Sequence, residues 1–129
     1  MKKIIFAFFI ISVLFGCSSK KIIKDNPDFS DICDNPSLYE GHKLEADVNI
    51  IGWSGRNCNF HKNALSTAIS RSDWITRENG FCLYVSGGQP KGIDLFNLPK
   101  SGIRIHLVSV VKINKDKVYL EFVDATIIN

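Results

Sequence analysis

The sequence predicts an all-β fold, a small five-stranded barrel preceded by a short helix. Three observations carry this prediction. Lys43–Trp53 alternates Leu44, Ala46, Val48 and Ile50 with Lys43, Glu45, Asp47 and Asn49, the period-2 pattern of a strand with one buried face. Ile103–Ile113 and Val118–Ile128 are two long β-type runs, and Asn114-Lys115-Asp116-Lys117 between them has the composition of a hairpin turn. Five strands are too few for a large two-layer sandwich, and closing a small sheet on itself removes the exposed edges it would otherwise present.

The elements follow in order along the chain. Pro27–Glu40 is predicted as two short helical turns, because Pro36 interrupts the run, with Ser30 capping the first turn and Asp31 suiting its positive end. Ile32, Leu38 and Tyr39 are its apolar anchors, and Gly41 ends it. The first strand is Lys43–Trp53, with Gly52 marking a bend. Ser54–Lys62 is a connecting loop, and Asn63–Ser70 a weaker second strand carried by Leu65 and Ile69. Arg71–Gly80 reads as a polar loop pinned by Trp74 and Ile75. Phe81–Ser86 is the third strand, ended by Gly87-Gly88-Gln89-Pro90. Lys91–Gly102 reads as one helical turn or an irregular packed loop. The last two strands then form the hairpin.

The N-terminus has a different character. Met1-Lys2-Lys3 is basic, Ile4–Phe15 is apolar apart from Ser12, and Gly16 is small, which is the layout of a secretory signal. The apolar run is about a dozen residues, short of the roughly 20 that a membrane-spanning helix needs. Leu14-Phe15-Gly16-Cys17 resembles the lipobox of bacterial lipoproteins, with Phe15 where a small or medium residue is usual. The resemblance implies cleavage after residue 16, diacylglyceryl transfer to the Cys17 thiol and acylation of the new amine, so that Cys17 holds the chain at a lipid bilayer. Ser18 is not the Asp that marks inner-membrane retention, which implies an outer-membrane lipoprotein facing the periplasm. The expected organisation is a signal peptide at 1–16, a lipidated tether at 17–27 and one domain at 28–129.

Loss of residues 1–16 from the 129 leaves 113, enough for one small core. The precursor carries +3, and Lys2 and Lys3 leave with the signal, so the mature side chains sum to about +1. A near-neutral balance argues against a nucleic-acid-binding protein. No signature for a cofactor is present. Neither Gly87-Gly88 nor Gly52-x-x-Gly55 leads from a strand into a helix, as a phosphate-binding loop does, and no serine sits in a Gly-x-Ser-x-Gly context.

Asn35-Pro36-Ser37-Leu38-Tyr39-Glu40-Gly41-His42-Lys43-Leu44 resembles the Asn-Pro-x-x-Tyr-x-Gly-Lys-x-Val pattern that opens the first strand in small bacterial OB-fold envelope lipoproteins. The match covers roughly residues 30–55 and extends further only in strand order. It implies an OB-like barrel and transfers no activity, because Tyr39 packs, Gly41 turns and neither is catalytic.

Cys33, Cys58 and Cys82 remain after Cys17 in an oxidising compartment, so one disulfide is expected with one thiol left over. In a barrel of this order the starts of strands one and three lie at one end. Cys33 precedes strand one and Cys82 opens strand three, so Cys33–Cys82 is favoured over Cys58–Cys82. Cys58-x-x-His61 with Cys82 lacks the fourth ligand of a structural zinc site. A Cys58–His61 nucleophilic pair lacks a third group to place it. His106 shares a strand face with Arg104 and reads as a surface or half-buried strand residue, while Asp73 and Glu78 read as solvated loop charges. OB-type barrels bind between the first and last inter-strand loops, which nominates Trp53, Arg56, Phe60, His61 and Lys115 as a binding set. The alternative is that Trp53 and Phe60 only close the barrel end. The expected function is therefore a non-catalytic binding or assembly module of the envelope, partnered by the bilayer and by envelope proteins. An immunity or inhibitor lipoprotein against a secreted toxin or wall hydrolase is the second reading, and an enzyme acting on envelope substrates near His61 the third.

Overall fold

The computed structural model describes residues 22–128, so the expected signal peptide at 1–16 and Cys17 lie outside the described residues. Helix α1 spans Phe29–Asp34 and helix α2 spans Pro36–Tyr39. Asp28, not Ser30, caps α1. Its carboxylate accepts the Asp31 N–H at 2.8 Å, and the Asp31 carboxylate accepts the Asp28 N–H at 3.1 Å, a reciprocal box that satisfies two otherwise orphaned donors. A third donor, the Phe29 N–H, goes to Glu78 at 2.9 Å. Pro36 opens α2, where its missing N–H costs nothing. Gly41 then turns the chain at φ 83°, a conformation that suits glycine, and donates to the Val111 carbonyl at 2.7 Å.

Five strands follow: β1 Lys43–Gly52, β2 Trp74–Glu78, β3 Phe81–Ser86, β4 Ile103–Asn114 and β5 Lys117–Ile128. They pair in the order β1-β2-β3-β5-β4, and β4 returns to β1, so the sheet closes in a ring. Every pairing is antiparallel except β3 with β5, which is parallel and limited to Val85–Leu120 and Ser86–Glu121. Inward-facing Leu44, Val48, Leu83, Val85, Ile105 and Leu107 fill the ring around the fully buried Trp74. Phe29, Ile32, Cys33 and Tyr39 join the same core, which gives the helices their place: they plug the ring end where β1 starts.

The second strand is not where the sequence pattern put it. Asn63–Ser70 contributes a single parallel bridge, Ala64 to Val118, and the true β2 lies within the segment expected as a polar loop. Its signal was the Asn79-Gly80 pair, which takes positive φ at both residues (49° and 84°) and joins β2 to β3 by a two-residue turn. Lys115 and Asp116 (φ 49° and 68°) do the same between β4 and β5.

The disulfide expectation is also corrected: the bond is Cys58–Cys82, with Cα atoms 5.7 Å apart, and Cys33 is free and buried. Cys33 and Cys82 do sit near one end of the ring, but on opposite faces of its wall. Alternation along β3 sends Leu83 and Val85 into the core with Cys33, and sends Cys82 and Tyr84 outward. The β1–β2 loop meanwhile does not stay at the far end. It folds back along the wall, where Asn59 accepts the Cys82 N–H at 3.1 Å and Leu65 donates to Val118 at 2.8 Å, and so delivers Cys58 to the outward thiol. The loop fills the space beside β3 and β5 where the two strands do not pair directly.

Candidate functional site

The five residues nominated as a binding set are not brought together. Phe60 stacks on Tyr84, with ring centroids 5.7 Å apart and planes 3° from parallel, and packs with Ile75 and Cys82 in a small outer cluster. Its face is therefore occupied. His61 accepts the Asn63 N–H on Nδ1 at 3.0 Å, which leaves Nε2 to carry the proton it donates to Asp34 at 3.1 Å. It ties the loop to α1, helped by Asn63 Nδ2 donating to the Cys33 carbonyl at 2.8 Å. Cys58 is in the disulfide, so no thiol faces His61. Trp53 lies at the other end of β1 against Phe96, with centroids 5.3 Å apart. Arg56 is exposed on the loop, and Lys115 sits in the β4–β5 turn beside a depression of about 370 Å³ shared with Leu65–Ile69. The outer wall of β2 and β3 at Ile75, Cys82 and Tyr84, where aromatic stacking would be sought, is covered by the chain's own loop, while Arg77 at the β1 side stays partly exposed.

The outer face of β1 and β4, like that of β5, is open to solvent. A groove of about 400 Å³ lies there, lined by Glu45, Asp47, Glu78, Arg104 and His106, with Asn26–Asp28 on its rim. The strands position these residues by register: Asp47 pairs with His106, and Asn49 pairs with Arg104 on one side and Arg77 on the other. Alternation in β1 puts Glu45, Asp47 and Asn49 on the face opposite Leu44, Val48 and Ile50. His106 Nδ1 meets Asp47 at 2.8 Å and Nε2 meets Glu45 at 3.5 Å. Those two hydrogen bonds, Asp47 first, raise the imidazole pKa above its ordinary 6.5.

Glu78 forms the inner wall. Burial raises its pKa, the nearby Asp28 and Asp31 reinforce that rise, and the Phe29 N–H and the Arg104 charge oppose it. The face is thus divided lengthwise. Glu45, Asp47 and Glu78 with His106 occupy one half. The Arg77–Asn49–Arg104 row crosses the other, beside a second depression of about 310 Å³ that Arg77 and Lys100 line. The grouping of Arg104 with His106 was readable from strand alternation. The addition of Asp47, Glu45 and Arg77 depends on cross-strand register, which one sequence does not provide. Among the described residues no group of three or more His, Cys, Asp or Glu side chains is arranged to hold a metal ion.

No family model matches the chain, and neither a curated protein nor a solved structure is detectably similar to it.

Proposed function

We propose that this chain is a lipid-anchored, non-catalytic binding module of the bacterial envelope, built as an OB-like barrel. The observation that carries the binding reading is the charged groove on the outer face of β1 and β4, in which Glu45, Asp47, Arg104 and His106 stand on paired strands and residues 26–28 only edge the rim. A preformed polar cleft on rigid elements suits recognition of a charged partner. The strand order β1-β2-β3-β5-β4 with a parallel β3–β5 contact supports the OB-like assignment. The leader-like N-terminus and Leu14-Phe15-Gly16-Cys17 support the anchor. Asn26–Asp28 on the groove rim would then lie within ten or so residues of the lipidated cysteine, and would hold the site near the membrane surface.

Metabolic palmitate labelling with membrane fractionation tests the anchor: the wild-type chain labels and sediments with membranes, and Cys17→Ser does neither. Asp47→Lys tests the groove. It keeps the label and the membrane location but loses envelope complexes recovered after in-cell crosslinking. Unchanged complexes in that variant would contradict the assignment of the groove.

A further inference from the structure

We propose that the Arg77–Asn49–Arg104 row is a phosphate-binding site, taking a phosphate monoester. The inference rests on the reading of this face as a binding surface and names the chemistry of its ligand. Asn49 of β1 lies directly between Arg77 of β2 and Arg104 of β4 in the strand register. By register all three belong to the outer face, and neighbouring strands are about 4.8 Å apart, so the Arg77 and Arg104 backbones stand roughly 10 Å apart on either side of the amide, a span that two extended arginine side chains can bridge to one tetrahedral anion.

Neither arginine is held in an ion pair among the described residues, although Glu78 lies near enough to Arg104 for the guanidinium charge to lower the Glu78 pKa. Among the described residues the close contacts between basic side chains and carboxylates are Lys24–Asp31, the His61–Asp34 hydrogen bond and those of His106 with Glu45 and Asp47. The carboxylates nearest along β1 are therefore committed to His106, and Glu78 receives the Phe29 N–H. Lys100 adds a third cation at the neighbouring depression, where Leu98 and Pro99 supply an apolar wall. Arg77 and Lys100 on one side of the amide and Arg104 on the other outnumber the nearest carboxylate not paired with His106, Glu78, which suits a group carrying close to two negative charges. Guanidinium forks bind such oxyanions through paired charge-assisted hydrogen bonds. The apolar wall gives room for the remainder of the ester.

The test is a titration of the full-length, ¹⁵N-labelled chain in detergent micelles with inorganic phosphate, at fixed ionic strength and neutral pH. The Asn49 side-chain amide and the Arg77 and Arg104 Nε–H signals are followed. Saturable shifts at these three groups are expected, and losing one guanidinium weakens binding roughly tenfold. Arg77→Gln and Arg104→Gln should each do so with the amide spectrum otherwise unchanged, while Lys112→Gln should not. Short-chain phosphatidic acid below its micelle concentration distinguishes a lipid source, binding more tightly than free phosphate if the apolar wall receives acyl carbons. Linear, unsaturable shifts, equal or tighter binding of acetate, or unchanged affinity in both arginine variants would overturn the proposal. The binding-module reading fails separately, through unchanged complexes in Asp47→Lys.

Discussion

His106 is the residue in the groove whose ionisation the structure most clearly sets. Its two carboxylate partners stabilise the imidazolium. The resulting contribution to stability is complete below 6.5 and is lost as pH rises through the raised folded-state value. Because the ring is partly exposed, the effect on global stability is small, and the direct readout is an NMR titration. The His106 pKa should exceed 6.5 and fall towards it in Asp47→Asn. Asp73 behaves in the opposite sense. Burial disfavours its charge, but hydrogen bonds from the Ser70 hydroxyl and N–H and from the Ile69 N–H outweigh that cost and hold its pKa below 3.8. Its contribution is present above 3.8 and lost as pH falls through the depressed folded value. Asp73→Asn should cost about 1–3 kcal/mol at neutral pH and flatten the acid limb of stability measured by urea unfolding. The expectation of a solvated loop charge missed this, since a carboxylate that organises the 69–73 turn looks the same in sequence as one that faces water. Cys33 is the third case. Burial, and secondarily Asp34, push its thiol up to about 12, so iodoacetamide should leave it unmodified until the protein unfolds.

At the scale of elements, the β1–β2 loop decides the character of the molecule. It is held to the wall by the disulfide, by Phe60 on Tyr84 and by His61 to α1. The bond closes a loop with a sequence separation of 24 residues, worth about 3 kcal/mol on the chain-entropy account. Reduction should therefore lower the melting temperature without dissolving the core, because Trp74 and its neighbours lie on the inner face. Trp74→Ala, by contrast, should cost about 3–5 kcal/mol in chemical denaturation, since the ring fills the core and its Nε1–H donates to Gly88 at 2.8 Å. The elements show why some were readable from sequence and one was not. β1, β3, β4 and β5 have apolar alternation or long β-branched runs that survive in isolation. In β2, Trp74, Ile75 and Thr76 are all fully buried, because the loop covers the outer wall as well as the core covering the inner one. That consecutive burial erases the alternation by which a half-buried strand is recognised. Cysteine pairing failed for a related reason: chain order gives the end of a barrel but not the path of a long loop across its wall.

For the whole molecule, closure of the ring and the loop over β2 and β3 leave the outer faces of β1, β4 and β5 accessible, and the charged groove lies on the β1–β4 part. The helices plug one end, the 87–102 connection packs Leu95 at the other, and the segment leading back towards Cys17 passes the rim of the groove. The proposed recognition therefore uses strand residues paired in fixed register rather than the loop aromatics. Site-specific photo-crosslinking in the native envelope tests this assignment most directly. The probe is placed at Thr126, which flanks His106 in the sheet, and in parallel at Arg56 on the loop side. A discrete adduct from position 126 and none from position 56 is the expected result. An adduct formed only from position 56 would contradict it.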